Sequence, residues 1–151
     1  MKVIIASDHA GYAYKTILME YLAQQNYHLI DIGSDGQNPL DDYPDYAEKA
    51  AEVLLGKVGE RAILICGSAI GVSIAANKFK GIRAGVCHDT YSAHQSVEHD
   101  HANILCMGQR IIGIELAKEI VLAFLKAKPS EEPRHLRRVN KISILEEKNM
   151  K

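Results

Sequence analysis

Five short apolar runs alternate with stretches whose apolar residues recur at helical spacing, and few folds satisfy that order. The runs fall at residues 2–6, 28–32, 62–66, 82–87 and 103–107. Residues 11–25, 46–55, 70–79, 91–97 and 115–126 read as helices; in the first, Ile17, Leu18, Tyr21 and Leu22 set the period. Successive strands joined by helices run parallel, and a parallel sheet needs cover on both faces. The order therefore predicts an α/β domain of three-layer, Rossmann-like form, with a five-stranded parallel sheet between two helical layers. A polar break, Lys128-Pro129-Ser130-Glu131-Glu132-Pro133, precedes residues 134–151, where Leu136, Val139, Ile142 and Leu145 recur at helical spacing. This extra C-terminal helix is expected to cap the core or a neighbouring subunit. With 151 residues, no internal repeat and no low-complexity stretch, the chain reads as one domain spanning 1–151.

Charge and cysteine usage narrow the function classes. Eighteen basic against 19 acidic residues give a net charge of -1, so nothing draws the whole molecule to nucleic acid or to an anionic membrane. No apolar run approaches the roughly 18 residues of a membrane span, and the opening MKVIIASDHAG meets Asp8 and His9 too soon for a secretory leader. A cytoplasmic protein is expected. Cys66, Cys87 and Cys106 are odd in number and lack paired spacing, which suits reduced thiols.

In open parallel sheets, ligands gather outside the carboxyl ends of the strands. Here those ends carry Ser7-Asp8-His9, Gly33-Ser34-Asp35, Cys66-Gly67-Ser68, His88-Asp89 and Gly108-Gln109-Arg110. Cys87 and Cys106 read as small buried hydrophobes. Cys66 is different, because Gly67, Ser68, Ala69 and Gly71 leave the backbone amides beside it nearly bare, at the start of a helix. The loop is not a Walker-type phosphate loop, since Val72-Ser73 follows Gly71, nor a dinucleotide fingerprint, since its glycine spacing is wrong. A thiol phosphatase needs an arginine where Val72 stands. His88, His94 and His101 read as solvated or hydrogen-bonded histidines, and His99 with His101 does not make a metal pair, because alternate helical residues do not share a face.

A longer series of motifs appears in order: Asp8-His9-Ala10-Gly11, Asp42-Tyr43-Pro44, Ile65-Cys66-Gly67-Ser68 with Gly71, Ala75-Ala76-Asn77-Lys78, Gly81-Ile82-Arg83-Ala84, His99 with Asn103, Met107-Gly108 with Arg110, and Arg134-His135 with Arg138. Across the whole chain this series resembles the type B ribose-5-phosphate isomerases, which belong to a sugar-phosphate isomerase family that also includes galactose-6-phosphate isomerase subunits. The resemblance implies interconversion of ribose 5-phosphate and ribulose 5-phosphate, a step of the non-oxidative pentose phosphate pathway. It implies no cofactor and no metal, and a homodimer with shared active sites that can pair into a tetramer. A 6-phosphohexose such as allose or galactose 6-phosphate is the neighbouring substrate; a non-catalytic phosphate-binding α/β module is the reading from another class.

The same resemblance assigns roles. His99, reaching across from a partner subunit, and Asp8 open the furanose ring. Cys66 takes the C2 proton to form a cis-enediolate, and Ser68 orients a proton between the C1 and C2 oxygens. Another branch uses a glutamate later in the loop; Val72 occupies that position here. The backbone of Gly67, Ala69, Ile70 and Gly71 meets the enediolate, because an oxyanion needs donors already in place. Tyr43, Asp100 and Asn103 border the sugar, while His9, Arg110, Arg134 and Arg138 hold the phosphate. Three departures stand out. Ser68 replaces a common threonine, Asp100 replaces a common asparagine, and Ala69 stands where glycine is frequent, so the loop cannot take a positive φ at that position without strain.

Overall fold

The computed structural model describes residues 1–150. Five parallel strands, β1 (Lys2–Ser7), β2 (His28–Asp31), β3 (Arg61–Cys66), β4 (Ala84–Val86) and β5 (Ile104–Gly108), lie in the order β2-β1-β3-β5-β4. The helices are α1 (Tyr12–Gln24), α2 (Tyr43–Leu55), α3 (Ile70–Ala76), α4 (Thr90–Asp100), α5 (Ile114–Lys126) and α6 (Pro133–Asn149). A single 3₁₀ turn, His9–Gly11, joins β1 to α1.

Strict alternation along the central strands divides the core into two layers. Val3, Ile5, Ile63, Ile65 and Leu105 face one way and pack with Leu18 of α1, Val97 of α4 and Phe124 of α5. Ile4, Ala6, Leu64, Ile104 and Cys106 face the other way, onto Ala47, Ala50 and Ala51 of α2 and Val72 and Ala76 of α3. The alanine surface of α2 brings that helix close to the sheet. The predicted three-layer fold is thus the observed one.

Boundaries differ where local chemistry overrides periodicity. α2 starts three residues before the predicted position because Pro44 fits its first turn, where a missing N–H costs nothing. α3 ends at Ala76 rather than residue 79, where the side chain of Asn77 turns to pair with Ala84, donating to its carbonyl and accepting from its N–H, both at 2.9 Å. β4 keeps only three of six predicted residues, as an edge strand paired to β5 alone. α6 buries only His135 and leaves Leu136, Ile142, Ile144 and Leu145 exposed, so its apolar stripe does not cap the core of its own chain.

Candidate active site

The strand order reverses at β1. From there the chain moves outward to β2, whereas β3 lies on the opposite side, so the carboxyl ends of β1 and β3 diverge into a fork. A cavity of about 320 Å³ occupies that fork, lined by Asp8, His9, Tyr43, Cys66, Ser68 and Arg110. Gly67, Gly71, Ala10 and Ile111 complete the wall, the last two unforeseen from the sequence. A larger hollow of about 500 Å³ lies under α6, against Ile82, Ala84, Ile142 and Leu145. Of its charged members Arg83, Asp100 and Glu146, the first and last already bond the backbone of His101 and Gly81, and no cysteine or histidine lines it.

Cys66 ends β3 with 5% of its surface exposed, and the amide of Ala69 donates to Sγ at 3.1 Å. That contact depends on a left-handed backbone, since Ala69 has φ of 73°. The loop does need a positive φ at this alanine, and the Cβ strain that glycine would avoid is carried. Ala69→Gly is expected to raise stability by about 1 kcal/mol, read by thermal or denaturant unfolding, because glycine adopts this conformation freely. Among the described residues, the amides of Gly67, Ser68 and Gly71 have no acceptor, while that of Ile70 approaches Ser68 Oγ at 3.4 Å. Ala69 and Ile70 thus direct their amides into the loop, whereas Gly67 and Gly71 line the cavity. With seven residues, α3 has a small dipole, so individual N–H groups matter more than the helix as a whole. Val72 is fully buried in the core.

Asp8 is 5% exposed and accepts from the Gly11 amide at 3.1 Å. Burial raises its carboxyl pKa, only partly offset by that amide and by His9. His9 is held by Asp41, a residue the motif reading passed over: Oδ1 accepts from the His9 amide at 3.0 Å and faces ring Nδ1 at 2.5 Å. Tyr46 donates to the other oxygen at 3.0 Å. Burial would raise the Asp41 carboxyl, but hydrogen bonds from the His9 backbone, His9 ring, Tyr46 and Ser34 outweigh it and hold the group below its ordinary range. The loop carrying Asp41 is tied down by buried Lys15, whose Nζ reaches both oxygens of Asp31 at 2.9 Å and the Ser34 carbonyl at 2.6 Å. Ligand atoms of Asp8, His9 and Asp41 lie within 4.8 Å of one another, a spacing that a metal would accept. The hydrogen bond between Nδ1 and Asp41 already occupies one of those atoms.

Close approach explains the glycines. Arg110 lies across Gly67, where a Cβ would come within 3.0 Å of Nη1, and the Tyr43 ring lies 2.6 Å from the Cβ that Gly71 lacks. The amides of Gln109 and Arg110 donate to the carbonyls of Cys66 and Gly67 at 2.9 and 3.0 Å, extending the β3–β5 alignment to the rim. His88 accepts from the Gly108 amide through Nε2 at 2.9 Å, and burial lowers its pKa, so it serves the backbone as a neutral ring. Burial pushes the Cys87 thiol up and the Cys106 thiol far up, as expected for packing residues.

The remaining predicted site residues lie outside this cavity. His99 ends α4 and stacks on His135, with Arg134 and Arg138 exposed on the first turns of α6. Asp100 borders the hollow under α6. Asn103 donates to the Gly81 carbonyl and accepts from the Arg83 amide, both at 2.8 Å, so both ends of its amide secure the chain before β4. One chain therefore carries two clusters: Cys66 with Asp8, His9 and Arg110, and His99 with the basic start of α6.

The family model described as Ribose/Galactose Isomerase matches residues 3–142. Ribose-5-phosphate isomerase B of Escherichia coli is 42% identical over 147 residues, 97% of each chain. D-erythrulose-4-phosphate isomerase 2 of Mycolicibacterium smegmatis is 39% identical over 148 residues, again 97% of each. The solved structure of Clostridium thermocellum ribose-5-phosphate isomerase B superposes with a TM-score of 0.93 at 46% identity, covering 98% of this chain and 99% of that one. A cavity built on the fork of such a sheet, in a chain matched along nearly its whole length, is that of a sugar-phosphate isomerase, and the chain belongs to the ribose/galactose isomerase family.

Proposed function

We propose that the protein interconverts ribose 5-phosphate and ribulose 5-phosphate, as a cytoplasmic homodimer in which His99, Arg134 and Arg138 of one chain complete the Cys66 cavity of the other. The observation that carries this reading is the convergence of a buried thiol, a buried carboxylate and Arg110 in one cavity, with a half-buried imidazole and two exposed arginines gathered elsewhere on the same chain. Ring opening comes first. A proton passes from the His99 imidazolium to the ring oxygen, the C1–O4 bond breaks, and Asp8 takes the proton of the anomeric hydroxyl as the C1 carbonyl forms. The Cys66 thiolate then removes the C2 proton, giving a cis-enediolate whose oxygens meet the unpartnered amides of Gly67, Ser68 and Gly71. Ser68 passes a proton between the oxygens, and the thiol returns its proton to C1. The phosphate is held by His9 and Arg110, with the partner's arginines closing over it; no metal takes part.

Purified protein mixed with ribose 5-phosphate, with and without chelator, tests the reading: ribulose 5-phosphate forms at equal rates in both. No turnover overturns the substrate, and loss with chelator overturns the metal-free mechanism. The relative named for D-erythrulose 4-phosphate favours one second reading, a four-carbon substrate. Specificity constants on four-, five- and six-carbon sugar phosphates decide between them.

Two further outcomes follow. Asp8 must be ionised to accept a proton, and burial raises its pKa above 3.8. The acid limb of kcat/KM is therefore expected above pH 3.8, with activity lost as pH falls through the raised value; a pH–rate profile reads it. Asp41→Asn removes the charge behind His9 and is expected to raise KM about tenfold with kcat nearly unchanged, as steady-state kinetics would show.

A further inference from the structure

We infer that Gln95 and His135 are positioning residues for His99, turning its Nε2 toward the sugar for ring opening and serving no later step. The inference rests on the ribose 5-phosphate reading above. His135 is the one buried residue of α6, 5% exposed on a helix that is otherwise open. Its ring lies 4.0 Å from that of His99, with 26° between the planes. Its Nδ1 meets Ser130 Oγ at 2.9 Å. Ser130 is itself fixed: its amide donates to the Glu98 carbonyl at 2.8 Å, its Oγ accepts from the Glu132 amide at 3.1 Å, and its carbonyl faces His101 Nε2 at 3.3 Å. The plate under His99 is therefore locked to the end of α4 through the 127–132 connection.

The edge of the His99 ring is fixed as well. Gln95, one turn earlier on the same helix, brings its amide nitrogen to His99 Nδ1 at 3.1 Å. An amide suits this place because it donates to a bare Nδ1 and, turned over, accepts from a protonated one. It can thus hold the ring before and after the proton leaves. With one face stacked and Nδ1 occupied, Nε2 is the nitrogen left for a ligand. Burial, then the positive neighbourhood of His99, Arg134 and Arg138, keeps the His135 pKa low, so the plate is neutral and does not repel an imidazolium.

Chemistry separates this role from the later steps. Ribose 5-phosphate is closed through O4 and must be opened. Ribulose 5-phosphate cannot close a furanose, because its O5 carries the phosphate, so exchange of its C1 proton with solvent proceeds through the enediolate alone. His135→Leu and Gln95→Leu should each lower kcat on ribose 5-phosphate, by up to about 10²-fold, the scale of a general acid. In the same proteins, C1 exchange of ribulose 5-phosphate in D₂O, followed by NMR, should stay within about twofold of wild type. His135→Phe, which keeps a flat ring and guards against a folding defect, should recover most of the loss. Equal loss of both rates, or no loss of either, overturns the inference while leaving the substrate intact; a wild-type protein inert to both sugars overturns the substrate reading instead. A ligand-free measurement stands beside these: the ring ¹⁵N resonances of His99 should shift in Gln95→Leu, and unchanged resonances would contradict the proposed contact.

Discussion

Cys66→Ala is expected to lower kcat on ribose 5-phosphate by about 10³-fold or more while KM changes by less than about threefold, measured by steady-state kinetics. The sulfur sits in the floor of the cavity, and no other group there matches its role. Asp8 is committed to the Gly11 amide and to ring opening, and the loop position that a glutamate would have to fill is Val72, fully buried among alanines. Removing one sulfur from the end of β3 leaves the phosphate grip of His9 and Arg110 in place, so binding persists when chemistry stops. A variant that keeps more than a tenth of wild-type kcat would place the base elsewhere.

Gly11→Ala should destabilise the fold by about 3 kcal/mol, the upper range for forcing a methyl into a filled site. Its Cβ would stand 2.4 Å from the Ile65 carbonyl oxygen and 2.6 Å from the carbon, both backbone atoms of a central strand that cannot swing aside. For a domain of this size the melting temperature should fall by about 10 °C. The same residue gives its amide to Asp8, so the carboxylate should lose its place and ring opening should weaken too. A melting temperature within 2 °C of wild type, with full activity, would contradict the tight approach of the 3₁₀ turn to Ile65.

The centre of the sheet was legible because β1, β3 and β5 are covered on both faces, so each is written as a continuous apolar run that survives without context. Strand ends were legible for the same reason: a break from Ile65-Cys66 into Gly67-Ser68, or from Ala6-Ser7 into Asp8-His9, marks the rim directly. Asp41 was not, since it serves His9 across 32 residues from a loop whose glycines, Gly33 and Gly36, mark its turns and not the acid that follows them. The positive φ at Ala69 was hidden by an alanine that accepts strain where glycine would advertise it. Nor does any spacing reveal that His99 and His135 stack, because the contact joins two helices through the connection that Ser130 pins. The edge position of β4 shortened that strand for a reason only topology supplies.

The proton that moves between carbon atoms is the most direct witness. Wild-type protein incubated with ribulose 5-phosphate in D₂O should place a single deuterium at C1 with one stereochemistry, whereas Cys66→Ala at equal concentration, still binding the sugar, should place none. Deuterium entering at the wild-type rate in the protein lacking that sulfur would contradict the account.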